Sequence, residues 1–338
     1  MSEHARPARL LFVHAHPDDE TLTTGLTMAA YASRHQDVHL LTCTLGEEGE
    51  VIPPALAYLG PDREDTLGLW RRGELRAAMS VLGVSHSVLG EDRERGVASR
   101  YRDSGMAGTA SAQHPDAFVQ ADPGEAADLV ADQIRALRPD VVVTYDEQGG
   151  YGHPDHIQTH RVTMSALSIL AGEAESERVA GPAAFCILTP AGWAAQDREW
   201  LYGNVVADAS CVLPQRDEPF PPSVVPDETV THVVEEPTLV EIQSRALAEH
   251  VTQVVVHEGY YTLSNHIATR LSGREGFARF DPVARHLLPG TPGMSRHTGL
   301  LTRGLLTSPA VARDSSTQGS WTSGSSENGV PERSRGHR

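Results

Sequence analysis

The chain has 338 residues, of which 45 are acidic and 28 basic, for a formal charge of −17, and it is 39% hydrophobic and 5% aromatic. Such a length fits about two ordinary domains, or one large one with an elaboration, and such a charge repels polyphosphate, so no nucleic-acid partner is expected. Near the start the longest apolar run is Leu10 to Val13, too short for a signal peptide or a spanning helix; the expectation is a cytoplasmic protein with no membrane partner.

All 28 basic residues are arginine. Lysine Schiff bases, lysine nucleophiles and the lysine-bearing phosphate loop are therefore ruled out. Cys43, Cys186 and Cys211 are too few to imply a disulfide framework. Nothing in the sequence specifies an oligomeric state.

In chain order, Arg9 to Ala15 reads as a first strand, ended by a Pro17-Asp18-Asp19 turn. Leu22, Leu26, Ala29, Ala30 and Ser33 follow at helical spacing, and Asp37 to Thr44 is a second buried strand. Leu75, Ala78, Met79 and Leu82 form the next helical stripe, with Gly83 as its C-cap, and His86 to Leu89 is a short third strand. Asp122-Pro123-Gly124-Glu125 starts a helix with a cap, a proline at the first position and an acid at the third. Pro139 stops it, and Val141 to Tyr145 is apolar enough to be buried on both sides of a parallel sheet. A further helix is expected from about Pro154 to Ala171, capped by Gly172.

This alternation predicts an α/β fold with a doubly wound, Rossmann-like, mostly parallel sheet and helices on both faces. Residues 1–172 form the α/β domain in this reading, and residues 173–305 a smaller mixed α+β region that completes the cleft. Residues 306–338, rich in Ser, Thr and Gly, are expected to be a disordered tail.

The chemistry lies in two short segments. His14-Ala-His16-Pro-Asp18-Asp19-Glu20 ends the first strand, and Tyr151-Gly-His153-Pro-Asp155-His156 follows the strand Val141 to Tyr145. Open α/β sheets place their ligand crevice at such strand ends. A tight turn can aim His16 and Asp19 at one point, and His156, on the first turn of a helix, supplies a third donor. Two neutral imidazoles and one carboxylate would leave a divalent ion with a net charge of about +1, still a strong Lewis acid. No cysteine neighbours either cluster, which argues against a closed structural site.

Asp18 distinguishes catalysis from mere binding: a spare carboxylate beside the ligands can take a proton from an attacking water and return it to a departing amine. His153 is the natural donor to a developing oxyanion, with Asp155 placed to orient it and Tyr151, on a glycine-flanked loop, able to swing toward the same oxygen. With 17 histidines in the chain, any single one is more often a surface or core residue than a ligand. His14 is read as structural, pointing away from the site, and His160 as packing. Asp19 alone would serve as a helix cap. Two His-Pro-Asp clusters at two strand ends are harder to ascribe to chance.

At HAHPDDE and GYGHPDH the sequence resembles the zinc-dependent N-acetylglucosamine deacetylase superfamily, and within it the actinobacterial branch of mycothiol biosynthesis. The likeness extends through Thr42 to Ile52, Arg71 with Gly73-Glu74-Leu75, Tyr101 to Thr109, Val141 to Asp146 and His250 to Gln253. It implies one Zn2+ per subunit, with Fe2+ as the alternative ion, held by His16, Asp19 and His156, and a general base at Asp18. It places His153 and Tyr151 on the oxyanion side with Asp155 behind His153, and sugar contacts at Arg71, Asp103 and Glu50. The implied substrate is a small pseudo-disaccharide, N-acetylglucosaminyl-inositol, which loses acetate. A sister activity, the mycothiol S-conjugate amidase, is the alternative; its motif turn carries a lysine, which this chain lacks. Glu47 and Glu48 are read as a solvated loop, and Glu91 to Arg100 as longer than the usual connection.

Overall fold

Strand β1 (Arg9–His14) lies between β2 (Asp37–Thr42) and β4 (Val141–Tyr145) and runs parallel to both. In the computed structural model, which describes residues 6–177, 181–208, 210–288 and 296–301, β3 (Ser85–Val88) extends this array beyond β2, and β5 (Ala183–Ile187) extends it beyond β4. The order is therefore 3-2-1-4-5, and the winding reverses between β1 and β4. At such a switch point the carboxyl ends of two adjacent strands diverge and leave a crevice. The doubly wound parallel sheet expected from the sequence is present.

Five helices serve this part of the sheet: α1 (Asp19–Ser33), α2 (Leu67–Leu82), α3 (Pro123–Leu137), the single turn α4 (Gly149–Gly152) and α5 (Pro154–Glu177). The strands are apolar on both faces because both are covered. Leu10, Phe12, Leu40, Val141 and Val143 pack with Met28, Leu75 and Met79 of α1 and α2. Leu11, Val13, Leu41 and Val142 pack with Val130 and Ile134 of α3 and Val162 and Leu167 of α5. The Asp122 side chain caps α3, accepting N–H bonds from Gly124 and Glu125 at 2.9 Å each, and Gly83 closes α2 with φ 72°.

One helix end differs from expectation. Helix α5 does not stop at Gly172 but continues to Glu177. Glycine in a helix interior costs about 1 kcal/mol against alanine, which weakens a helix but does not end it, and residues 173–177 are mostly good helix formers.

Beyond residue 172 the chain adds to the same sheet. The strand Arg274–Asp281 runs antiparallel to β5 and to His232–Glu235, and His297–Thr298 pairs parallel to the latter. Helices α6 (Ala191–Asn204) and α7 (Val240–Leu247) belong to this region, and α7 packs on α1 and α2. Among the described residues no helix is long and apolar enough to cross a membrane. The predicted disordered tail, 306–338, lies outside the described residues.

Candidate metal centre

Both clusters emerge at the switch point. Strand β1 ends at His14, so pleat alternation no longer governs His16, whose direction is set by the turn into α1. His14 is fully buried and pairs through Nε2 with Thr24 Oγ1 at 2.9 Å, on α1; burial pushes its pKa down to about 4. It is a structural residue outside the cluster. Asp18 is the N-cap residue of α1, with φ 118°, and its side chain makes no cap bond. A non-glycine residue in this region costs of order 1–3 kcal/mol and has to be held in place by its surroundings. On the other strand, Gly149, Gly150 and Gly152 all have positive φ, which lets the chain turn tightly after β4 and start α5 with His156 facing β1. A Cβ at Gly149 would lie 2.7 Å from the His156 Cβ.

The donors converge on one oxygen. Asp19 Oδ2 lies 3.2 Å from His16 Nδ1 and 3.2 Å from His156 Nε2. Ligands about 2.0–2.1 Å from a tetrahedral ion are separated by about 3.3 Å, so these spacings suit a common metal. His156 Nε2 is buried and has no hydrogen-bond partner of its own, a feature that a metal ion would satisfy.

The far side of each imidazole fixes its tautomer. His156 Nδ1 faces the Gly149 carbonyl at 3.2 Å. It must donate there, which leaves Nε2 with its lone pair. His16 Nε2 faces the Asp155 and Asp103 carboxylates at 3.3 and 3.4 Å, which hold a proton there and leave Nδ1, toward Asp19, as the nitrogen an ion would take in place of a proton. His153 is reversed: its Nδ1 accepts the Asp155 N–H at 3.2 Å, which puts the proton on Nε2. The His153 ring lies 4.7 Å from that of His16 and 4.9 Å from that of His156, near enough for the three to form a metal-binding group. The hydrogen bonds divide them: His16 Nδ1 and His156 Nε2 face Asp19, whereas His153 Nδ1 is taken by the Asp155 N–H.

Electrostatics follow the same division. Burial opposes charge on His16, yet Asp103, Asp155 and Asp19 outweigh it and hold its pKa well above the usual histidine value. Burial alone would raise Asp19, but His156 and His16 keep it well below the ordinary carboxylate range. His153 is pushed down to about 3, first by burial and then by the two neighbouring rings, and is neutral. Asp18 goes the other way: burial pushes it up to about 6, with Arg71 pulling it partly back.

Arg71, expected from the sequence to contact the sugar, lies in the wall beside Asp18. It is 3% exposed, donates through Nη1 to the Gly46 carbonyl at 2.7 Å and through Nη2 to the Pro17 carbonyl, and holds Asp18 Oδ1 at 3.3 Å. Most of its fork is thus occupied by the two loops that frame the cleft. Asp103 is also turned inward, to His16, while accepting N–H bonds from Gly105 and Glu48. The Asp155 carboxylate backs His16 rather than His153 and accepts the Ser104 N–H at 2.9 Å; its link to His153 runs through its backbone N–H. Glu50 is exposed. Glu47 accepts the Asp103 N–H at 2.9 Å and Glu48 pairs with Arg102 at 2.8 Å, so this stretch is a tie between loops rather than a solvated one. Tyr151 is 56% exposed, with its ring 5.1 Å from that of His156.

Three residues were given no role from the sequence. Tyr145, the last residue of β4, stacks on His156 at 4.3 Å, accepts the Ala15 N–H at 3.0 Å and hydrogen-bonds Asp19. Its only sequence signal is its position at the strand end. Glu20 and His250 form a buried pair at 3.0 Å directly behind Asp18, a contact across 230 positions.

A strand-end His/Asp cluster with a spare acid defines a class, and comparison with known proteins agrees. The chain belongs to the PIG-L family, described as GlcNAc-PI de-N-acetylase, whose model matches residues 11–167. It is 44% identical over 307 residues to the 1D-myo-inositol 2-acetamido-2-deoxy-alpha-D-glucopyranoside deacetylase of Thermomonospora curvata, covering 85% of this chain and 98% of that one. The proteins of the same name from Rhodococcus jostii and Thermobifida fusca are each 45% identical, covering 80% of this chain and 90% and 91% of theirs.

Proposed function

We propose that this chain is a zinc-dependent hydrolase that removes the acetyl group of 1D-myo-inositol 2-acetamido-2-deoxy-alpha-D-glucopyranoside, releasing acetate and the free amine. The observation that carries the chemistry is that Asp19 Oδ2 lies 3.2 Å from both His16 Nδ1 and His156 Nε2, with the neighbouring Asp18 carboxylate held by Arg71 instead. The choice of substrate rests on relatives of that name that match across nearly their whole length.

His16 Nδ1, Asp19 Oδ2 and His156 Nε2 would hold the ion, and two nitrogens with one carboxylate oxygen suit zinc. When bound, the ion polarises the acetyl carbonyl and makes the attacking water more acidic. The rest falls to side chains. Arg71 occupies Oδ1 of Asp18, so Oδ2 accepts the water proton and later returns it to the amine nitrogen. A carboxyl raised to about 6 suits both halves of that transfer near neutral pH. His153, neutral and protonated on Nε2, donates to the oxyanion, and Tyr151 closes over the same oxygen from its glycine loop. Asp103 and Asp155 keep the His16 proton on Nε2.

The test pairs metal analysis of purified protein with amine release from the N-acetyl substrate and from a mycothiol S-conjugate. The expected result is one zinc per chain and preference for the N-acetyl sugar. Faster cleavage of the S-conjugate would assign the sister amidase activity, and no amine release by metal-replete protein would refute both.

A further inference from the structure

Asp18 needs support for its unusual backbone, and the support comes from the far end of the chain. Glu20 is fully buried; its Oε2 accepts the Asp18 N–H at 2.9 Å, and its Oε1 accepts the Thr21 hydroxyl at 2.6 Å and pairs with His250 Nε2 at 3.0 Å. His250, also fully buried, sits on the turn that follows α7. Two residues later Thr252 holds Glu74 of α2, through its N–H at 3.0 Å and its hydroxyl at 2.7 Å. One helical turn before Glu74 is Arg71, which bonds the Pro17 carbonyl and Asp18 Oδ1. The circuit closes on Asp18 from two sides, one through its backbone and one through its carboxylate.

We propose that the segment 250–253 is a positioning element for the base: His250, acting through Glu20, and Thr252, acting through Glu74 and the helix that bears Arg71, fix where the Asp18 carboxylate points. This rests on the hydrolase reading above. A buried polar pair adds little net stability compared with apolar side chains of equal volume, but it fixes direction. Glu20 has no role in holding the metal or meeting the substrate, and both of its oxygens are engaged in this circuit. A base misplaced by about 1 Å loses about 10²-fold in rate, so the effect belongs in kcat rather than in substrate or metal binding.

The test uses His250→Leu, His250→Gln and Glu20→Gln in the full-length, zinc-loaded protein. It reads kcat, KM, zinc content and hydrogen–deuterium exchange over the peptide spanning β1 and the start of α1. For His250→Leu the expected result is a kcat lower by about 10²-fold, unchanged KM and zinc content, and faster exchange at the Asp18 amide. His250→Gln, whose amide can still donate to Glu20, recovers most of the rate. A leucine variant with wild-type kcat, or one whose losses track zinc loss or a raised KM, overturns the proposal. Should the leucine variant not fold, Glu20→Gln carries the test: it keeps the volume but disturbs both bonds, so unchanged kcat and exchange there overturn it equally. Wild-type protein inactive on the N-acetyl sugar would refute the hydrolase reading instead, while unchanged exchange in His250→Leu would refute the positioning role of 250–253 alone.

Discussion

Gly46 offers the sharpest test of how the cleft is braced. It has φ 66°, and a Cβ built on it would lie 2.0 Å from Arg71 Nη1 and 2.4 Å from Arg71 Cζ, so in Gly46→Ala the guanidinium must leave its seat. The left-handed backbone alone costs an alanine roughly 1–2 kcal/mol. Displacing Arg71 breaks its bonds to the Gly46 and Pro17 carbonyls and its contact with Asp18, and buried charged groups left unpaired add about 2–4 kcal/mol. The total, about 3–6 kcal/mol, is a large part of ordinary domain stability. Gly96 is the control: its φ is 74°, and nothing lies within 4 Å of the place a methyl group there would occupy, so Gly96→Ala should lose only the backbone share. Denaturant unfolding of both variants should show a gap of about 2–4 kcal/mol. The acid limb of the Gly46→Ala rate profile should also move to higher pH, because the cation that lowers the Asp18 pKa has moved away. Equal destabilisation of the two variants would refute the idea of an arginine seat.

Other outcomes follow from the same geometry. Asp18→Asn should retain its metal and lose about 10²–10⁴-fold in kcat. In the wild type, activity should fall as pH drops through the Asp18 titration, since only the ionised carboxylate accepts a proton; a bound cation shifts that limb to the acid side of about 6, and a flat profile across the acid and neutral range would count against this role. Chelation should abolish amine release and lower the melting temperature, because an ion at about 100 times its Kd adds about 2.7 kcal/mol; full activity after complete metal removal would be the contrary result. Glu275 is 9% exposed, with its carboxylate on the N–H groups of Leu26 and Thr27 and on the Thr27 hydroxyl, and burial raises its pKa to about 7. A carboxyl raised on folding destabilises the fold when ionised, progressively from its unfolded pKa to its folded one. Glu275→Gln should therefore gain about 2–3 kcal/mol on the wild type between pH 5 and pH 8, a trend that urea titrations at the two pH values would reveal or deny.

The parallel sheet was legible because its strands are apolar on both faces and its helices carry caps, as at Asp122 and Gly83. The candidate site was legible for a related reason: two His-Pro-Asp clusters sit immediately after strands that the topology makes neighbours. What the sequence does not carry is direction. The sequence reads Arg71 as a sugar contact, and nothing in its pattern announces its bonds to the Gly46 and Pro17 carbonyls. Asp155 follows His153 closely in sequence, yet helical geometry turns its carboxylate to His16 and leaves its N–H for His153. The pairing of Glu20 with His250 spans most of the chain, and no local pattern announces it.

The antiparallel strand Arg274–Asp281 closes onto β5 after His16, Asp18, Asp19 and His156 have already been synthesised. A nascent chain released before that strand emerges would carry His16, Asp18, Asp19 and His156, but would lack Glu275 against α1 and the antiparallel partner of β5.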